Sequence, residues 1–560
     1  MVTAGVALVV SSVLCLSAAR SNFTRRISQY ERSMAAAVAA TQKVQARIAA
    51  DFQRGGEVEV NNNLANYTAL VPTAGEALAA LLSVNPSAKS PWVDEQFLNV
   101  AGQVNQISIQ KRADWDFREL RTRLTGLKGY AADYAIVSTS RRVNGAYPIA
   151  ATVRQDIQVA SIPLFQYQVF YVPDMEIHPS GAGMTFNGRV HGNANIYCKP
   201  EGVVTFQNHV TAARSFISAR HSGDPVSPGG GSSVCRAERI ARVNTLNIPT
   251  GNSNTPTNLR ALIEYPPLTE LPSSPLGRQR FYNKADLVVM VSNGMVFARS
   301  GTYNAGLVPI PWIESRGIVT TGKKIFYDKR ESRDSSTTEL NVAAFLANYN
   351  DLTLLLGRPV KIIWIADFRS PNMTTIYGIR IVNGQTLPAA GLTIATPNSM
   401  YVYGHYNAPA ANLGTTNTAG AAPACLASDS ITFLSSAWFD GNGPKSLTDR
   451  PAEDMTVNAG IITGIVPTGG GNYSGGVENA IRVLENWSGK TLTFNGALAV
   501  LFHSVRANSP WGGPDVYSPP ARKFSYDWKF SQPSTQPPGT PEVRTILHSD
   551  WTVVSAASAL

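Results

Sequence analysis

Residues 184–198 read MTFNGRVHGNANIYC, and residues 202–218 read GVVTFQNHVTAARSFIS. Each alternates apolar and polar positions for a few residues and closes on Gly or Asn, the pattern of a short half-buried strand ending in a turn. The pattern returns in GLTIATPNSMYVYGHY (391–406), DSITFLSSAWF (429–439) and TLTFNGALAVLF (491–502). Adjacent copies lie on the order of twenty residues apart, the coil length at which stacked strands bury a common core. Residues 162–530 are therefore expected to be mostly β, a right-handed β-solenoid or β-helix, with a β-sandwich carrying long insertions as the alternative. Asn-Gly pairs at 187–188, 293–294, 383–384, 442–443 and 495–496 mark turns between the runs.

Working outward, HSGDPVSPGGGSS (221–233) and TGNSNTPTN (250–258) read as exposed loops, and 531–560 as a Pro-rich tail. Upstream, residues 130–161 alternate with period two around Asn144-Gly145 and predict a strand pair. Residues 55–129 read as a small α-rich unit, with helices expected at GEALAALL (75–82) and WDFRELRTRLTGL (115–127).

The first nineteen residues, MVTAGVALVVSSVLCLSAA, carry no charged side chain. As a helix they measure about 28 Å, close to the hydrocarbon thickness of a bilayer. SMAAAVAATQKVQARIAADF (33–52) extends the helix with strong helix formers, so a single helix is expected over 1–54. Val6, Leu8, Val9, Val10, Val13, Leu14 and Leu16 would hold it in a membrane. The alternative is a secretory signal cut after Ala19, where Ser17 and Ala19 are suitably small. Arg20, Arg25 and Arg26 follow the apolar run, which by charge alone would keep the C-terminal part inside unless a basic leader preceded Met1.

Composition narrows the function classes. The 560 residues are only 15% charged, well under the roughly 25% of soluble domains. A net charge of +10 comes with no basic run and no basic and aromatic stripe, so no nucleic-acid partner is expected. No phosphate loop, dinucleotide fingerprint or GxSxG is present, and no cofactor is expected, a divalent metal being the one alternative.

That metal would sit on Glu176, His178 and His191, since Glu176 and His178 share a strand face and His191 would lie one coil above. Hydrogen bonding to turns is the plainer reading of these side chains. FYDKRE (326–331) reads as structural ion pairing rather than a lyase acid/base pair, and Asp367 and Asp440 as turn carboxylates. Tyr401, Tyr403, His405 and Tyr406 would form an aromatic row for glycans or a partner surface if exposed, and core if not. Cys198 and Cys235 bracket the Gly/Pro-rich insertion and are expected to form a disulfide, which suits an exported protein.

An apolar helix continuing into an Ala-rich amphipathic one resembles the N-terminal region of type IV pilin-like proteins, especially PilX-like minor pilins. Gly5 stands where major pilins carry glutamate, which fits a minor or atypical subunit. The segments 165–181, 184–197, 281–289, 326–331, 391–407 and 472–496 resemble a group of large bacterial pilus-assembly-like proteins of unsettled function. The resemblance implies a structural, non-enzymatic subunit held in the inner membrane and then displayed in a cell-surface filament. Its partners would be copies of itself, other pilin-like subunits and surface glycans. The alternative is a secreted or anchored β-helix carbohydrate-active enzyme or glycan-binding protein.

Overall fold

A computed structural model describes residues 2–87, 92–301, 307–513, 515–549 and 551–555. Side chains are described for these except 2–10, 77, 80, 323 and 324. The chain is mostly β with one long N-terminal helix, and divides into a unit of 1–161 with 544–560 and a unit of 162–543.

In the first unit, helix α1 runs Val2–Asn62, broken at Gly56, whose backbone leaves the helical region (φ 74, ψ −162). Ala36, Ala40, Val44, Ile48 and Phe52 recur every fourth residue and form a buried stripe. That stripe packs on Tyr134, Ile136, Ile157 and Val159 of a sheet. The sheet runs β1 (Glu95–Leu98), β3 (Lys128–Arg142), β4 (Ala150–Pro163) and Glu542–His548, with β2 (Ser108–Glu119) also on β3 and Thr552–Val553 also on β4. On the helix itself, buried Asp51 accepts from Arg47, Arg54 and the Tyr67 hydroxyl.

Three expectations fail in this unit. Residues 55–129 are not mainly helical: Leu64–Tyr67 and Ala74–Leu82 are short helices, but WDFRE lies in β2. Trp115 and Phe117 alternate with Asp116 and Arg118, and this two-residue period prevails because both rings pack on Tyr130, at 6.1 and 5.2 Å. The β3–β4 hairpin pairs Tyr130 with Ser161 through to Arg141 with Ala150, but the connection spans 143–149, and neither Asn144 nor Gly145 has positive φ. The expected Pro-rich tail of 531–560 is not a tail throughout its described residues, because Glu542–His548 and Thr552–Val553 complete the sheet.

The second unit begins as a stack of parallel strands. β5 (Val169–Tyr171), β6 (Met175–Ile177) and β7 (Met184–Phe186) are followed by β8 (Val190–Gly192), β9 (Ile196–Cys198) and β10 (Val203–Phe206). Then come β11 (Val210–Ala212), β12 (Phe216–Ile217), β13 (Ser232–Cys235) and β14 (Arg239–Ala241). Val169 pairs with Val190, Val190 with Val210, and Val210 with Arg239; β6, β9 and β12, and β7, β10 and β13, form two further parallel ladders.

Two antiparallel hairpins follow. β15 (Leu287–Ser292) and β16 (Met295–Ser300) join at Asn293-Gly294, the one Asn-Gly pair with both residues at positive φ (50° and 76°), as a tight hairpin turn requires. The other joins β17 (Val319–Asp328) to β18 (Arg333–Asn341).

The chain then alternates between two parallel sheets. β19 (Ile362–Asp367), β21 (Leu392–Ala395), β23 (Ala424–Ser428), β25 (Met455–Ile465) and β27 (Thr491–His503) enter a twelve-stranded sheet. β20 (Thr375–Val382), β22 (Ser399–Tyr403), β24 (Ser430–Leu434) and β26 (Ile481–Val483) join β17 and β18 in the other. β28 (Ala521–Tyr526) and β5 both pair with β27, so the first stack continues the large sheet. One apolar cluster runs from Val169 to Val500.

Candidate functional site

Two regions carry chemistry or contact potential. The first is α1. Every residue of Ser11–Ser28 is exposed, including Val13 (59%), Leu14 (64%), Leu16 (58%), Phe23 (66%) and Ile27 (41%). Val6, Leu8, Val9 and Val10, expected in the same apolar face, lie outside the described side chains. Among the described residues no helix is long and apolar enough to cross a membrane.

The second region surrounds β6. Glu176, one of its three residues, and His178, immediately after it, come together as expected: His178 Nε2 lies 3.9 Å from Glu176 Oε2. His191, on β8, does not join them. It is fully enclosed between the rings of Tyr167 and Phe170, with Nδ1 against Thr211 Oγ1 (2.7 Å) and Nε2 against Asn193 Oδ1 (2.9 Å). Burial pushes its imidazole down to about 4.

Asp224 takes the third place, its side chain turned inward from an otherwise exposed loop, so that Glu176, His178 and Asp224 each offer an atom within 4.8 Å of the others. Sequence reasoning missed Asp224 because it lies in the Gly/Pro-rich insertion, where nothing in the local pattern marks an inward carboxylate.

Donor chemistry argues against a metal on this trio. The Lys199 N–H donates to His178 Nδ1 (3.1 Å), which leaves the imidazole proton on Nε2, the atom a cation would need free. Arg220 Nε already pairs with Asp224 Oδ2 at 2.6 Å and brings its own positive charge. Burial and that guanidinium hold His178 down at about 4, so the ring is neutral. Burial also raises the Glu176 carboxyl above its ordinary range, while the Thr468 and Ser474 hydroxyls donating to Oε1 oppose the shift. Glu478, which accepts from the His178 N–H and the Tyr473 hydroxyl, is pushed up to about 7 by burial.

The other sequence candidates are structural. Tyr401 and Tyr406 are buried, so no exposed aromatic row forms from Tyr401, Tyr403, His405 and Tyr406. Tyr401 donates to Asp328 (2.8 Å), Tyr403 to the Ser436 carbonyl, and His405 Nδ1 accepts from Thr456 N–H. In FYDKRE, β17 ends at Asp328 and the following turn brings Asp328, Arg330 and Glu331 inside together, where Glu331 pairs with Arg482 at 2.7 Å. Asp367 holds Thr338 and Arg369, and Asp440 holds Arg380. Cys198 and Cys235 are free thiols on β9 and β13, which belong to different sheets.

No family model and no curated protein matches the chain. The crystal structure of competence-associated pilin ComZ from Thermus thermophilus overlaps 94% of this chain and 97% of its own, with a TM-score of 0.29 and 10% sequence identity. That overlap is too loose to carry an argument about fold or function.

Proposed function

We propose that this chain is a structural, non-enzymatic subunit of a pilus-like cell-surface filament. The observation that carries the reading is α1: one half packs on the first unit's sheet while Ser11–Ser28 exposes five large apolar side chains to solvent. An apolar helical face of this kind marks a surface for protein or membrane contact. The bilayer covers it before assembly, and neighbouring helices of like subunits, copies of this chain or other pilin-like proteins, cover it afterwards. Val13, Leu14, Leu16, Phe23 and Ile27 supply that surface, and the β unit is displayed outside for adhesion or subunit contacts.

We read the β unit as a solenoid. Support comes from the register: strands return to the same ladder after about twenty residues, and stacked coils expose long ladders of side chains to other molecules.

A secreted glycan-binding protein is the second reading, favoured by the convergence of Glu176, His178 and Asp224 beside open cavities. N-terminal sequencing and intact mass of material sheared from cells separate the two. A chain retaining the apolar helix supports the filament subunit, whereas one beginning near Ser21 overturns it in favour of the secreted protein.

A further inference from the structure

Beside β6 lies a cavity of about 350 Å³, lined by Asp174, Glu176, Arg214, His221, Thr468 and Ser474 among others. Its size falls within the roughly 300–1,000 Å³ of small-molecule sites. Of two histidine–carboxylate pairs nearby, His221 and Asp174 both line it, whereas Glu176 lines it and its partner His178 lines the neighbouring cavity. His178 Nε2 stands 3.9 Å from Glu176 Oε2, and His221 Nε2 stands 3.9 Å from Asp174 Oδ2. Each imidazole accepts a backbone N–H at Nδ1, from Lys199 and from Gly223, so in the neutral ring each Nε2 carries the proton and is a donor.

Each pair is therefore one donor facing one acceptor, too far apart to bond directly and within reach of a single bridging oxygen. The inner pair is enclosed. Thr468 and Ser474 both donate to Glu176 Oε1, while Oε2 and His178 Nε2 are buried without a hydrogen-bond partner. The outer pair is partly open, and Asp174 Oδ1 is fixed by the Asn195 N–H at 2.9 Å.

A hydroxyl is the group that accepts from an N–H and donates to a carboxylate at the same time. A metal ion meets protonated nitrogens here, an anion meets two carboxylates, and a cation meets Arg214 and Arg220. We propose that this cavity binds a neutral saccharide, a hexose ring presenting one hydroxyl to the His221–Asp174 pair. The site stands on the second unit's own residues and does not depend on the filament reading.

Saturation-transfer NMR on the purified full-length chain tests it, with glucose, galactose, mannose and N-acetylglucosamine as probes. Transfer from at least one sugar is expected with millimolar affinity. Asp174→Asn keeps the acceptor for Asn195 N–H but turns the outer oxygen into a donor facing a donor. It is expected to weaken binding roughly tenfold or more, at unchanged melting temperature. His221→Ala removes the other half of the pair and should act alike. Absence of transfer from all four sugars, meaning that the pairs hold water alone, overturns the proposal, as does unchanged transfer in both variants. Calorimetric binding of zinc or calcium that is lost in Asp174→Asn overturns it too, in favour of a metal.

Discussion

Leu498 lies in parallel register opposite Val169, so the last long strand of the second unit is hydrogen-bonded beside its first. The Leu498 N–H donates to the Gln168 carbonyl at 2.7 Å, and the Val172 N–H to the Val500 carbonyl at 2.9 Å. The early stack and the later two-sheet stack therefore share one sheet through β27. The β5–β14 stack is closed on this side only after the C-terminal strands arrive, an arrangement of very high contact order that folds slowly.

Gly496 is the tightest point of that strand. A Cβ there would overlap the Ala459 carbonyl oxygen on β25, a backbone atom that has nowhere to go. Gly496→Ala is expected to cost about 2 kcal/mol or more and to lower the melting temperature visibly. Gly230, whose added Cβ would meet nothing, is the control, and Gly230→Ala should stay within about 0.5 kcal/mol of the parent. Equal melting temperatures for the two variants would contradict the β25–β27 packing.

Arg482 and Glu331 form a buried pair in which Arg482 also donates to the Ala507 carbonyl and Glu331 accepts from the Ser509 N–H. Arg482→Ala strands the carboxylate inside and is expected to destabilise by about 3–5 kcal/mol. The double replacement Arg482→Met with Glu331→Leu should recover part of that loss, because the buried carboxylate is removed together with its main partner. Denaturant unfolding of the three proteins checks it, and a single-variant cost under about 1 kcal/mol would mean the pair is solvated.

Glu485 accepts from the N–H and hydroxyl of Ser435, at 2.7 and 2.6 Å, yet burial pushes its carboxyl from 4.5 up to about 7. The folded chain therefore holds this proton more tightly than the unfolded chain. The resulting stability is fully present below 4.5 and is lost as pH rises through about 7. At most it is on the order of 3 kcal/mol. Glu485→Gln removes this contribution, so the melting temperature of the parent minus that of the variant should fall across the window and flatten above it. A difference that does not move with pH would show that Glu485 is ionised throughout.

Cysteine chemistry distinguishes the sequence expectation of a Cys198–Cys235 disulfide from the four free thiols of the structure. Burial pushes the Cys198 thiol up to about 12 and shuts Cys425 away entirely. In the native chain only Cys15 and Cys235 should react with a maleimide, and all four after denaturation without reductant. A mass lower by two hydrogens with two thiols silent would restore the disulfide.

Strand character was legible where the chain repeats itself, because the alternation in 184–198 and 202–218 reflects strands with one face in the core. The long helix was legible from composition, and its packed half from the four-residue recurrence of Ala36 to Phe52. Long-range closure was not legible: nothing local in TLTFNGALAVLF marks Leu498 as the partner of Val169. The aromatic row failed for a related reason, since Tyr401 and Tyr406 look alike exposed or buried until the coils that cover them are known. Half of the histidine site was legible, because Glu176 and His178 lie two residues apart, one residue and then the next but one along the same strand direction. Asp174 and His221 belong to a strand start and a loop that only the stack brings together.

The account rests on the exposed half of α1, and Cys15 sits within it as a reporter. Maleimide labelling of Cys15 should be measured in filament material sheared from cells and again after dissociation in detergent. A subunit whose helix is covered by its neighbours should show Cys15 protected in the filament and reactive once dissociated. Equal reactivity in both states, or a mature chain from which Cys15 has been removed, would contradict the filament role.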